Sequence, residues 1–277
     1  MSSQPSVPAS PRVSVLMPTF EQAAFIGRAL DSLWAQTYPD WELVIVDDGS
    51  CDDTASALAP WLADARVRYL RFDSNGGLGR AINAGLDAAR GELLAYLPSD
   101  DVWHAGHLAQ LVARLEREPG AVLAYAGVRH HYNRSADGIV PGECLQPVQC
   151  LHRRTALRWR ERAELESDDL DRLFWTGLRA QGPFVATGTI SCEWVDHPGQ
   201  RHKRMREPLG GINPFRQHDR AAMAALRERV WQVRDGFCFD LHAPGLVDFF
   251  GRVIAQAGRQ GRFRAGGQLR APPRRAP

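Results

Sequence analysis

The feature that most constrains this chain is an alternation in its first half. Short apolar, β-branched runs take turns with amphipathic helical stretches, and only a few residues separate them. Val13 to Met17, closed by Pro18, is too short for a helix and reads as a buried strand. Phe25, Ala29 and Leu33 recur with Ile26, Leu30 and Trp34 on one face of a helix. Trp41 to Val46 is a second strand, stopped by Asp47, Asp48, Gly49 and Ser50. Asp52, Asp53 and Thr54 then offer capping oxygens to a helix carrying Ala55, Leu58 and Leu62. Val67 to Phe72, Glu92 to Leu97 and Ala121 to Ala126 are three further strands. Between them lie helices over Leu78 to Ala89, closed by Gly91, and His107 to Arg117, ending before Pro119. The pattern spells βαβ units, hence an α/β, Rossmann-like, mostly parallel sheet flanked by helices. In such sheets a ligand sits beyond the carboxyl ends of the strands. Chemistry is therefore sought in Pro18–Glu21, Asp47–Asp53, Asp73–Arg80 and Pro98–Trp103.

After about residue 130 the alternation stops. A helix is expected over Ser167 to Arg179, strands over Phe184–Ala186 and Ile190–Val195, and two amphipathic helices over Arg216 to Arg234 and Gly245 to Ala257. The expected organisation is a flexible leader (1–11), a main domain (12–205, divided near 128), a C-terminal helical extension (206–258) and a disordered basic tail (259–277). With 34 basic and 32 acidic side chains the net charge is +2, which gives no reason to expect specific nucleic-acid binding. The leader has no basic start and no apolar core, and no apolar run is long enough to span a bilayer. Five cysteines with no CxxC spacing read as reduced thiols, so a cytoplasmic protein is expected. The Arg content of the two C-terminal helices permits contact with a membrane surface.

Several loops carry candidate chemistry. Asp47 and Asp48 end an apolar strand together; they suit hydrogen bonds from a base or ribose, while Gly49, Asp52 and Thr54 also fit a turn and a helix cap. Ser99, Asp100 and Asp101 end the fourth strand, and paired carboxylates there suit Mg²⁺ or Mn²⁺ as well as a helix start. The stretch from Asn75 to Asn83 holds Gly76, Gly77 and Gly79, which allow close backbone approach, and Arg80, within reach of a phosphate. It is neither a Walker loop nor a dinucleotide fingerprint. Asp168, Asp169 and Asp171, after Glu164 and Glu166, are either a solvated helix cap or the home of a general base. His197, beside a basic loop, could meet a diphosphate or a metal.

Taken together, Val13 to Phe20, Val46 to Ser50, Asn75 to Gly77, Arg80 to Asn83 and Tyr96 to Trp103 occur in an order and spacing that resembles the family-2 inverting glycosyltransferases of GT-A fold. The resemblance runs from about Val13 to about Gln200. It implies a non-processive enzyme that moves a sugar from a nucleotide-diphosphate donor, UDP-linked by family habit, to an acceptor hydroxyl with inversion, aided by Mn²⁺ or Mg²⁺. By position, the donor site would comprise Pro18, Thr19, Glu21, Asp47, Asp48, Asn75, Gly77, Arg80, Ser99 and Asp100. Asp100, Asp101 and His197 would serve the metal, and Asp169 would be the catalytic base. His152, Arg153 and Arg154 resemble the basic segment before the family's acidic pair. Three departures stand out: Pro98 replaces the first Asp of the Asp-x-Asp motif, Glu21 replaces the usual Asn, and the Gln-x-x-Arg-Trp motif of processive synthases is absent. The competing readings are a sugar nucleotidyltransferase, which the loop Pro18–Glu21 disfavours, and a non-catalytic nucleotide-sugar-binding module.

Overall fold

The computed structural model describes residues 10–130, 137–138, 145–161, 170–195, 197, 231–234 and 237–240. Its elements are β1 (Val13–Thr19), α1 (Ala23–Trp34), β2 (Trp41–Asp47), α2 (Thr54–Leu58), β3 (Val67–Arg71), α3 (Leu78–Ala88), β4 (Leu93–Tyr96), β5 (Val102–Trp103) and α4 (His107–Glu116). There follow β6 (Leu123–His130), β7 (Asp137–Gly138), β8 (Cys150–Arg153), α5 (Leu170–Arg179), β9 (Phe184–Trp194), β10 (Trp231–Arg234) and β11 (Phe237–Asp240). The chain forms two compact units. The second contains the antiparallel ribbon of β10 and β11.

In the first unit one sheet runs β3-β2-β1-β4-β8-β6-β9-β5, with β7 beside β6. Strands β3, β2, β1 and β4 are parallel. Because β2 and β3 lie on one side of β1 and β4 on the other, strand order reverses between β1 and β4, which opens a crevice at their carboxyl ends. Side chains alternate across the sheet. Val13, Val15 and Met17 pack with Ile26, Leu30 and Leu33 of α1 and Leu108, Leu111 and Leu115 of α4. On the other face Leu16, Val44, Val46 and Tyr96 pack with Ile82 and Leu86 of α3 and Phe174 and Trp175 of α5. Burial on both faces explains why these strands read as continuous apolar runs.

Beyond β4 the sheet departs from expectation. His152 to Arg154, which resembles the family's basic segment, lies at the end of β8 (His152 and Arg153 within it), and β8 inserts antiparallel between β4 and β6. The sheet is therefore mixed rather than mostly parallel. His152 is buried there, Arg153 donates to the carbonyls of Leu115 and Ala121, and Arg154 donates to those of Ala89 and Gly91. These two guanidinium groups cap the carboxyl ends of α4 and α3, where helices leave carbonyls unpaired. The two strands expected over 184–195 are one, β9, carried past Gly188 at a φ of 82° with register shifts against β6. β5, unanticipated, pairs with its far end. In the second unit the helix expected to reach Arg234 is replaced at its end by β10, where Trp231, Gln232, Val233 and Arg234 alternate with a period of two. The leader up to residue 9 and the rest of the expected extension and tail, including 245–257 and 259–277, lie outside the described residues. Among the described residues Cys51, Cys150 and Cys192 are free thiols, and no helix is long and apolar enough to cross a membrane.

Candidate active site

The crevice is built from loops that hold one another. Asp47, at the tip of β2, is fully buried. Its carboxylate accepts from the Ser50 N–H (2.8 Å) and the Tyr69 hydroxyl (3.0 Å), with Arg71 Nε 3.7 Å away. Asp47 thus shapes its own turn. Ser50 Oγ accepts from the Glu21 N–H at 2.9 Å, and the Asp48 N–H donates to the Thr19 carbonyl at 2.9 Å, so the β2 loop also fixes the end of β1. Glu21 sits at a φ of 53°, a left-handed conformation that costs a residue with a long side chain and suits Asn.

The glycine-rich loop before α3 is tied to the end of β2. The Asp48 carboxylate accepts from Gly76 N–H at 2.8 Å and from Gly77 N–H at 2.7 Å, and is itself buried. Gly49, at a φ of 81°, lies so close to Ser74 and Asn75 that a Cβ there would meet Ser74 backbone at 2.7 Å. Arg80, exposed at the start of α3, folds back over Gly76, where an added Cβ would lie 2.4 Å from Arg80 Cδ. Its guanidinium rests 4.0 Å from the centre of the Phe72 ring.

On the β4 side, the buried Ser99 donates to the Pro18 carbonyl at 3.4 Å. Asp100 Oδ2 lies 3.0 Å from His197 Nε2, and the His197 ring stacks on Phe25 at 4.0 Å between centroids. Two residues 97 positions apart in sequence thus meet at one corner of the crevice. Asp101 turns the other way: it is buried and accepts from the Val195 N–H at 2.9 Å, which ties down the end of β9. Burial, with the charge of Asp100 beside it, holds its carboxyl well above the usual carboxylate range. Among the described residues no group of three or more His, Cys, Asp or Glu is arranged as a metal site. Thr19 Oγ1 is, among the described residues, a buried hydroxyl with no hydrogen-bond partner. Such an atom is costly to leave unsatisfied. Asp168 and Asp169 lie outside the described residues.

A strap that the sequence did not announce passes over α3. Asn83, buried, donates to the Trp159 carbonyl and to Glu161 Oε1, both at 2.9 Å, and accepts from the Trp159 N–H at 2.9 Å. Gly79 admits the Arg160 carbonyl, which an added Cβ would meet at 1.9 Å. Trp159 stacks on Phe174 of α5 at 4.7 Å and donates to the Tyr96 hydroxyl at 3.3 Å. That hydroxyl is 2.7 Å from His152 Nε2, and His152 Nδ1 is 2.7 Å from the Arg153 carbonyl. The one assignment satisfying every atom has Nδ1–H donating to the carbonyl and neutral Nε2 accepting from Tyr96. Burial holds the His152 pKa down to about 4. The Asn75–Asn83 motif marked these positions, but their contacts are with residues some 76 positions away, which no local pattern displays.

Comparison with known proteins agrees with this architecture. The chain is 36% identical over 122 residues to an uncharacterized glycosyltransferase of Nostoc sp., covering 43% of this chain and 36% of the relative. It is 38% identical over 120 residues to the succinoglycan biosynthesis protein ExoO of Rhizobium meliloti, covering 43% and 34%. The matched segments span about a third of the length of these relatives. The fold is similar to S. aureus TarS 1-349 in complex with UDP-GlcNAc, with a TM-score of 0.63 at 17% identity over 90% of this chain and 74% of that one. It is also similar to the mannosyltransferase PcManGT of Pyrobaculum calidifontis in complex with GDP-Man and Mn²⁺, with a TM-score of 0.59 at 20% identity over 78% and 65%. The family model for glycosyl transferase family 2 matches residues 14–163, from the first strand through the strap, and the chain belongs to that family.

Proposed function

We propose that the chain transfers a sugar from a nucleotide-diphosphate donor to an acceptor hydroxyl, one residue at a time and with inversion. The observation that carries this reading is the meeting of Thr19, Ser99, Asp100 and His197 around the crevice where strand order reverses. The buried Thr19 hydroxyl, without a hydrogen-bond partner among the described residues, is suited to a base or ribose. Arg80, anchored on Phe72, is suited to a phosphate oxygen. UDP is the favoured donor base, supported by the likeness to TarS in complex with UDP-GlcNAc.

The residues also fit a divalent cation. Asp100 and His197 present an oxygen and a nitrogen donor within 3.0 Å of each other. Mg²⁺ and Mn²⁺ are commonly held by one or two side chains plus substrate phosphates and water, so a two-residue set suffices despite Pro98. A bound cation would supply charge neutralisation of the leaving diphosphate. Asp101, engaged with Val195, supports the loop rather than offering an oxygen to the crevice. The acceptor oxygen would attack the anomeric carbon as its bond to the diphosphate breaks, the acceptor proton passing to Asp169.

The test is a thermal-shift series of the purified protein with UDP, GDP, dTDP, CDP and ADP, each with and without Mn²⁺. Binding to the native state raises Tm by mass action. A rise with UDP that grows with Mn²⁺ in wild type, and no longer does in Asp100→Ala, is expected. No rise with any diphosphate would remove the transferase reading.

A further inference from the structure

We propose that Asn83 and Phe174 are positioning residues at the two joints of a brace, the strap from Leu157 to Glu161, through which the packing of α5 sets the first turn of α3 and with it Arg80. The inference rests on the donor-site reading above and goes beyond it by naming buried residues, one of them on α5, that govern donor binding through the strap.

The first joint is on α3. Gly79, Asn83 and Asp87 are four residues apart and share one face of the helix. The strap runs against that face in the opposite direction. Arg158 donates to the Asp87 carboxylate at 2.7 Å, Trp159 meets Asn83, and the Arg160 carbonyl rests on Gly79, the residue before Arg80. Asn83 accepts from the Trp159 N–H and donates to the Trp159 carbonyl, both at 2.9 Å, so its amide pairs with one residue of the strap as a neighbouring peptide group would. That pairing needs a donor and an acceptor on one planar group, which neither Asp nor Leu has. The contact at Gly79 is main chain against main chain, so a shift of the strap has no flexible side chain in which to be absorbed.

The second joint is on α5. The Trp159 ring is buried, stacked on Phe174 at 4.7 Å and edge-on to Trp175 at 5.6 Å, while Leu157 lies under Gly177. Trp159 is therefore held by its main chain to α3 and by its ring to α5. A close-packed aromatic cluster has low compressibility and passes a displacement on. Replacing Phe174 by Leu would open space above the indole; as the ring settles, the Trp159 main chain, the Arg160 carbonyl and the first turn of α3 would follow. The turn at the other end of the brace also faces the crevice. Asp171, in the first turn of α5, is close enough for its charge to be felt at Asp101, where burial and the charge of Asp100 already hold the carboxyl up. The strap thus fixes the turn that carries Arg80 relative to the side of the crevice that carries Asp100 and Asp101. A donor that needs Arg80 in one place binds more weakly when that place is only partly populated.

The experiment is calorimetric titration of UDP, with Mn²⁺, into wild type, Asn83→Ala, Phe174→Leu, the double variant and Val112→Ala, each checked for folding by circular dichroism. Val112, buried on α4 against the opposite face of the sheet, controls for a general loss of stability. UDP affinity is expected to fall about fivefold or more in Asn83→Ala and in Phe174→Leu, the lower end of couplings between separate sites. The double variant is expected to fall less than about twofold further, because the two joints act in series. Val112→Ala is expected to stay within about twofold of wild type. An unchanged affinity in Phe174→Leu overturns the inference, as do additive losses in the double variant or an equal loss in Val112→Ala. Where Asn83→Ala does not fold, Phe174→Leu against Val112→Ala decides alone. The two levels separate cleanly: no binding of UDP by wild type removes the donor-site reading and the brace with it, whereas binding by wild type that Phe174→Leu leaves unchanged removes the brace only.

Discussion

Replacing His152 by Phe should change the pH dependence of stability in a defined direction. His152 is buried between Tyr96, Phe174 and Trp175, and desolvation lowers its pKa from 6.5 to about 4. The hydrogen bond to the Arg153 carbonyl opposes that shift and the charge of Arg154 adds to it. A folded-state pKa below the unfolded one means that the contribution is complete above about pH 6.5 and is lost as pH falls towards about 4. From about pH 7.5 to about pH 5 the unfolded chain takes up nearly one proton at this position and the folded chain almost none. At about 1.4 kcal/mol per pH unit beyond the unfolded pKa, wild type loses about 2 kcal/mol through this one residue. His152→Phe keeps an aromatic ring but cannot titrate, and it leaves the Tyr96 hydroxyl without its acceptor. The variant should therefore be less stable at about pH 7.5, by about 1–3 kcal/mol. Urea unfolding of both proteins at several pH values gives the gap directly, and the gap should narrow by about 2 kcal/mol between about pH 7.5 and about pH 5. Comparing the two proteins cancels the titration of every other group. A gap constant with pH would refute the claim that His152 is held neutral in the core.

Other outcomes follow from particular contacts. Asn83→Ala strips three hydrogen bonds from the strap and leaves the Trp159 N–H and carbonyl buried without partners, which should cost about 3 kcal/mol in urea unfolding. Gly79→Ala puts a Cβ 1.9 Å from a main-chain oxygen, so the strap must shift; a loss of about 1–3 kcal/mol is expected, seen as a lower Tm. Glu21→Asn relieves a left-handed backbone and should stabilise by about 0.5–1 kcal/mol; an unchanged or lower Tm would count against strain at this position. Asp169→Asn should leave UDP affinity within about twofold of wild type while abolishing sugar transfer, and a parallel loss of affinity would remove Asp169 from the role of base.

Much of the first half was legible because its signals are local. A buried parallel strand must be apolar on both faces, so Val13 to Met17 and Trp41 to Val46 announce themselves, and the helices between them repeat every three or four residues. Together these runs determined the βαβ frame and hence which loops face the crevice. Tertiary structure decided how each loop residue is used. Asp47, Asp48, Asp100 and Asp101 are four identical side chains at strand ends, yet one shapes a turn, one clasps a neighbouring loop, one meets His197 and one anchors β9. A carboxylate takes its role from the donors around it, and here those donors come from residues between 3 and 97 positions away. The same holds for β8: Cys150 to Arg153 carries no alternation that marks a strand, and it becomes one because β4 and β6 leave a gap that only paired backbone can fill without orphaned N–H and carbonyl groups. Sequence by itself determined the frame and the chemical inventory at its open edge; the assignment of each group to scaffold or to ligand was decided by long-range packing, because a hydrogen bond depends on where its partner is and not on how far away it lies in the chain.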